Sequence, residues 1–286
     1  PLKRRVRILF GLNEETGSAD MKYYLSHGGE VPVMGFTPDG EYPVINGEKG
    51  LVTETYARTW NQSGPVRLTQ LWGGTAHNIV PAQAWAQLAC SPDLAKEIAS
   101  LSAENITCTP TQDGLRVEAM GVSAHGGSPG EGENAIGRLM QFLTRLPLEG
   151  DTAQAVAFLA DKLGMEYDGA SLGIAKSDQL SGPLTMNLGI LRGDEKGLEV
   201  RLNYRYPVTC TFEDCGPAVE AAFAGAGFTR TYQQHKARIY MPPETPLVKK
   251  LLKVYQDCTG LPAQPKCIGG GTYAKMMPNI LAFGPV

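Results

Sequence analysis

The chain has 286 residues, a formal net charge of −3, 42% hydrophobic and 19% charged residues, a balance that reads as globular with material for one large domain or two ordinary ones. The 26 Lys and Arg are scattered with no aromatic-laced basic stripe, which argues against a nucleic-acid partner. No run of about 18 apolar residues exists to cross a membrane as a helix, and no signal peptide is visible. The six cysteines form no Cys-x-x-Cys pair and read as reduced thiols in a cytoplasmic protein.

In chain order, the apolar run at residues 6–12 predicts a buried strand, followed by a helix over 18–26 with Ser18 as N-cap and a short strand over 33–37. Strand, helix, strand is the pattern of a parallel α/β layer, in which chemistry collects at the carboxyl ends of strands. From about residue 46 the texture changes. Residues 50–60 and 66–72 alternate as antiparallel strands do, and 82–89 and 92–102 read as helices, the second capped by Ser91. Residues 106–110 and 115–122 predict a hairpin across Gln112-Asp113-Gly114. Helices are expected over 134–146, 151–163, 213–223 and 246–259, and strands over 185–191, 198–206 and 228–236.

Two adjacent acids, Glu14 and Glu15, end the first apolar run, and Asp39 ends the second strand. Neighbouring side chains at a strand end point to opposite sides, so one carboxylate can face a metal and the other an attacking water, although an acidic pair is commonly a solvated turn. His125 follows a strand in a glycine-rich turn. Gly269-Gly270-Gly271-Thr272 fails the Walker spacing because Lys275 stands three residues past Thr272, so a nucleotide site is not implied. His27, His77 and His235 carry no ligand spacing.

The phrases Asn13-Glu14-Glu15-Thr16-Gly17-Ser18-Ala19-Asp20, Met34-Gly35-Phe36-Thr37-Pro38-Asp39, Asn78-Ile79-Val80-Pro81, Gly121-Val122-Ser123-Ala124-His125-Gly126, Gly182-Pro183-Leu184-Thr185-Met186-Asn187 and Ile268-Gly269-Gly270-Gly271-Thr272-Tyr273-Ala274-Lys275 resemble, in order, the di-zinc carboxypeptidase, aminoacylase and dipeptidase family. Bacterial dipeptidases of the PepV type, which include Xaa-His and carnosinase-like enzymes, are the nearest likeness. The resemblance implies an α/β fold: a partial metallopeptidase catalytic layer of mainly parallel sheet with helices over residues 1–46 and 244–286, and an inserted α+β lid domain with antiparallel sheet over 47–243. It implies dipeptide hydrolysis, with Glu14 as general base, Glu15 and Asp39 as ligands of two zinc ions (manganese or cobalt being tolerated), and His125 polarising the scissile carbonyl. Asn78, Arg205, Gly270, Gly271 and Thr272 would bind substrate.

The family's two histidine ligands and bridging aspartate have no counterpart motif here. The expectation is therefore a central segment of a larger enzyme, inactive by itself and prone to self-association, with the complete enzyme able to act as a monomer. The alternatives are an aminoacylase or deacylase of the same family, or a non-catalytic binding or oligomerisation module.

Overall fold

Strands with one apolar face must pair at their edges and be covered by helices on that face. The computed structural model describes residues 4–14, 17–101 and 103–285, and these fall into two units, residues 50–237 and the remainder on either side. In the 50–237 unit, eight strands form one antiparallel sheet. Its order is Thr229–Lys236, Gly50–Thr59, Gly197–Tyr206, Thr185–Asp194, Arg67–Gly73, Gln83–Ala89, Gly114–Met120 and Ile106–Thr111. Val52, Tyr56, Leu202, Tyr204 and Tyr206 alternate along their strands, and they share a single core with Ile136, Leu139 and Phe142 of helix Ala135–Leu143, Leu159 of helix Gly150–Lys162, and Phe223 of helix Gly216–Gly225.

Phe223 is fully buried, stacked on Tyr56 at 4.0 Å between ring centroids and edge-on to Phe158 at 5.0 Å and Phe228 at 5.4 Å. Emptying that position by Phe223→Ala is expected to cost about 3–5 kcal/mol. Denaturant titration of the 286-residue chain would show a lower midpoint with an unchanged slope; an unchanged midpoint would mean the aromatic cluster is not a stabilising unit. The buried carboxylate of Glu54 accepts hydrogen bonds from the Tyr56 and Tyr204 hydroxyls (3.1 and 3.3 Å), Gln233 Nε2 (2.7 Å) and Arg230 Nη1 (3.3 Å). Burial first, and then the Glu54 charge, push both phenols upward from the ordinary tyrosine range.

Local signals hold in this unit where chain chemistry is strong. The hairpin turns through Gln112-Asp113, with Gly114 opening the second strand opposite Thr111. Ser91 Oγ accepts from Leu94 N at 3.4 Å at the start of helix Pro92–Ala99. Asn134 Oδ1 accepts from Ile136 and Gly137 N to start helix Ala135–Leu143. One expectation is overturned: residues 82–89 are not a helix but the strand Gln83–Ala89, with Ala84, Ala86 and Leu88 buried alternately. Alanine suggests helix on intrinsic preference, but the period-two burial, with strands paired on both sides, overrides it.

In the other unit, strand Gly35–Thr37 pairs parallel with Ile280–Ala282. Strand Ile45–Glu48 pairs parallel with Lys266–Ile268, and antiparallel with Ile239–Tyr240 and, through one residue pair, with Ile280–Ala282. Helix Pro246–Thr259 covers this sheet with Leu247, Val248 and Leu251 packed on Val44 and Leu281. The pairing of Ile45–Glu48 with Ile239–Tyr240 ties residues 47–49 and 238–243 to this unit, whereas the sequence boundaries stand at 46/47 and 243/244.

Residues 6–12 are not a buried strand. They join no sheet among the described residues, and Val6, Ile8, Phe10 and Leu12 are exposed; an apolar run becomes a strand only where neighbouring strands take its backbone groups. Ser18 precedes helix Ala19–Ser26 but does not cap it with its side chain. Asn13 Oδ1 instead accepts from Ala19 N at 2.8 Å.

Candidate functional site

Two polar constellations are built, one in each unit. In the 50–237 unit, Asn203 and Arg205 alternate with the core residues Leu202, Tyr204 and Tyr206 and so project to the other face of the sheet. Register places Asn187 opposite Asn203 and Thr185 opposite Arg205. The Asn187 amide donates to the His77 and Ile79 carbonyls at 3.0 and 2.9 Å, and its oxygen accepts from Asn134 Nδ2 at 3.4 Å. From the other side, Gly126 N donates to the Asn78 carbonyl at 2.7 Å and Val80 N to the Ala124 carbonyl at 2.8 Å. The bridge sets Ile79 opposite His125 and Asn78 opposite Gly126, which locks together the segments that carry Asn78 and His125.

Arg205 is only 3% exposed, and its Nη2 lies 3.4 Å from His125 Nε2. Gly127 N points at His125 Nδ1 from 3.3 Å. A β-carbon at Gly127 would come within 2.5 Å of Arg205 Nη1 and 3.0 Å of His125 Nδ1, so the close approach of loop, imidazole and guanidinium requires glycine. Donors therefore approach both ring nitrogens, which favours a neutral imidazole because the imidazolium has no acceptor. Consistent with this, burial first and then the Arg205 charge lower the His125 pKa below the ordinary histidine value. His77 is lowered in the same way, by burial and then by Arg201 and Arg205. Burial also pushes the Arg205 guanidinium down to about 10, which still leaves it cationic at neutral pH. A neutral imidazole beside a desolvated cation suits a ligand with a carboxylate next to a polarisable carbonyl.

In the other unit, Glu14 is half-buried in the turn before helix Ala19–Ser26, and its carbonyl accepts from Gly17 N at 3.3 Å. Asp39 is exposed just past strand Gly35–Thr37. Glu15 lies outside the described residues. Among the described residues, no three His, Cys, Asp or Glu side chains gather as a metal centre needs, so the described residues do not by themselves fit a metal ion.

Gly270 and Gly271 lie in the loop between strand Lys266–Ile268 and the 3-10 turn Tyr273–Met276. Thr272 directs both its N–H (3.1 Å) and its hydroxyl (2.7 Å) to the carboxylate of Glu48, and its Oγ1 accepts from Ala274 N at 3.1 Å. The geometry makes Thr272 an anchor of the loop. Lys275 Nζ donates to the Lys49 carbonyl at 2.6 Å and sits 3.9 Å from the Glu48 carboxylate. Burial raises the Glu48 pKa, and the Lys275 charge and the two Thr272 donors oppose that rise.

Asn187, Glu48, Asp20 and Tyr273 escaped sequence reasoning as site-building residues. The available signal was a polar residue inside an informative phrase or on a strand with buried neighbours: Asn187, Asp20 and Tyr273 each stand within the phrases that carry the resemblance, and Glu48 closes a wholly buried strand.

A family model described as the peptidase dimerisation domain, of the M20 peptidases, matches residues 111–212. The chain is 34% identical to the putative dipeptidase YtjP of Bacillus subtilis, over 100% of this chain and 63% of that protein. It is 31% identical to the Beta-Ala-Xaa dipeptidase of Lactobacillus delbrueckii subsp. lactis, over 99% of this chain and 61% of that protein. It thus spans about three fifths of the length of these relatives. The aminoacylhistidine dipeptidase from Vibrio alginolyticus shares the fold, with a TM-score of 0.51 at 10% identity over 96% of this chain and 64% of that one. The α/β sheet that the terminal segments build, the inserted antiparallel sheet with its helices, and relatives matched along the whole chain converge on one likeness: the chain resembles dipeptidases of the M20 peptidases throughout its length.

Proposed function

We propose that the complete protein hydrolyses dipeptides with free termini. The observation that carries this reading is the buried Arg205 guanidinium 3.4 Å from a His125 imidazole held neutral, in a chain related throughout to dipeptidases. Arg205 takes the substrate's free carboxylate through its planar fork of donors. With Gly127 N–H donating to Nδ1, the ring proton belongs on Nε2; the Arg205 N–H that lies 3.4 Å from that nitrogen turns to the substrate carboxylate, and Nε2–H donates to the scissile carbonyl oxygen as charge develops there. Asn78 adds a hydrogen bond to the substrate, and the backbone amides of Gly270 and Gly271 favour an anion. Glu14 accepts the proton of the attacking water and returns it to the departing amine.

Zinc is the metal proposed for the complete protein, with manganese or cobalt as substitutes and Glu15 and Asp39 among the donors. The described residues do not close a metal site, and the roles of Arg205, His125 and Asn78 do not depend on one. A cytoplasmic location goes with this reading and is supported by six cysteines that form no disulfide among the described residues.

The test is amino-acid release from a panel of dipeptides, N-acyl amino acids and tripeptides by the complete gene product, with and without a metal chelator. Dipeptide cleavage abolished by the chelator is the expected result. Cleavage of N-acyl amino acids alone would reassign the protein as a deacylase, and no cleavage of any substrate would end the catalytic reading.

A further inference from the structure

The glutamate turn is tethered to the glycine-loop motif through Asp20 and Tyr273. Asp20 Oδ2 accepts from Leu12 N at 2.7 Å, from Asn13 N at 3.1 Å and from the Tyr273 hydroxyl at 2.8 Å. Asn13 N also approaches the Tyr273 oxygen at 3.2 Å. The Asn13 carbonyl accepts from Ser18 N at 2.7 Å, so the turn that carries Glu14 is closed at its base. Tyr273 reaches this position across the backbone of Gly11, where a β-carbon would stand 2.1 Å from the phenol oxygen and 2.4 Å from Cζ. At its other end Tyr273 begins the 3-10 turn whose cap, Thr272, is bound to the buried Glu48 of strand Ile45–Glu48. A continuous path of side-chain bonds therefore runs from the sheet to the residue preceding Glu14.

We propose that Tyr273 is a positioning residue for Glu14, acting through Asp20 and the amides of Leu12 and Asn13. The proposal rests on the reading of Glu14 as general base. Burial works against the charge of Asp20, but the Tyr273 hydroxyl and the amides of Leu12, Met21 and Asn13 outweigh it and hold the carboxyl below its ordinary range. The acceptor is thus an ionised carboxylate at neutral pH, and its bond to the phenol is charge-assisted and directional. A base must be placed to a fraction of an ångström to act on water; a turn with exposed apolar residues on its N-terminal side draws that placement from this tether.

The test is Tyr273→Phe in the complete gene product, which removes the hydroxyl and keeps the ring on Gly11. For dipeptide hydrolysis, kcat is expected to fall about tenfold to a hundredfold with KM changed by less than about twofold. Hydrogen exchange at the amides of residues 12, 13 and 17–19 is expected to accelerate, while exchange in the strands of the 50–237 unit stays unchanged. A merely structural role would lower the melting temperature without this division between kcat and KM. Unchanged kcat, or unchanged exchange at residues 12–19, overturns the proposal. If the parent protein cleaves no dipeptide, the functional reading fails separately, and the exchange measurement alone decides whether the tether exists. If Tyr273→Phe does not fold, Asp20→Asn carries the same test, since it removes the charge and preserves the side-chain shape.

Discussion

Glu14→Gln is expected to lower kcat for dipeptide hydrolysis by about 10²- to 10⁴-fold, with KM close to that of the parent protein. The amide matches the carboxylate in size and still accepts a hydrogen bond, so the turn closed by Asn13, Ser18 and Asp20 keeps its shape while the basic group is lost. Steady-state kinetics on the complete gene product, with metal content measured on the same sample, checks the result. A loss confined to KM would make Glu14 a binding residue, and a parallel loss of metal would make it a ligand, the role assigned to Glu15 by resemblance.

Arg205→Ala is expected to raise KM for dipeptides by about 10- to 150-fold, the range that corresponds to losing a charged hydrogen bond of about 1.5–3 kcal/mol. Arg205→Lys should recover only part of that loss, because an ammonium is a point donor without the planar fork. Dipeptide amides provide the decisive control. They have no carboxylate for Arg205, so parent and Arg205→Ala should cleave them at similar, low efficiency. A full Arg205 effect on the amides would show that the arginine supports the fold and not the ligand. The same variant moves the acid limb of the pH–rate profile. His125 is lowered by burial and by the Arg205 charge, so removing that charge raises its pKa, and the neutral form is lost at a higher pH as the solution is acidified.

Much of the local structure was legible because it depends on short-range chemistry. Gln112-Asp113-Gly114 supplies a hairpin turn and the start of its second strand, Ser91 and Asn134 supply helix caps, and the spacing of Leu247, Val248 and Leu251 supplies one apolar face for helix Pro246–Thr259. The failures come where the deciding partner is remote. Residues 83–89 have the composition of a helix and become a strand because strands 67–73 and 114–120 take their backbone groups. Residues 6–12 have the composition of a strand, yet among the described residues no strand pairs with them. Ser18 is the right residue type for a cap, but the role goes to Asn13 five residues earlier.

The site divides along the same line. By itself the sequence determined the inventory: an acidic pair and Asp39 at predicted strand ends, a histidine in a glycine-rich turn, a glycine loop that is not a phosphate loop, and an ordered set of phrases resembling one peptidase family. Only the tertiary structure decided which of these residues act together. His125 meets Arg205 because sheet register and the bonds of Asn187 bring residues 77–79, 124–126 and 205 to one face. Thr272 proves to be an anchor because strand Ile45–Glu48 pairs with Lys266–Ile268 and brings Glu48 under the loop. Helix caps and turns are settled within a few residues, so sequence pattern reports them. Bonds spanning 80 to 253 residues depend on which strands become neighbours and in what register, and that is set by burying the whole core at once.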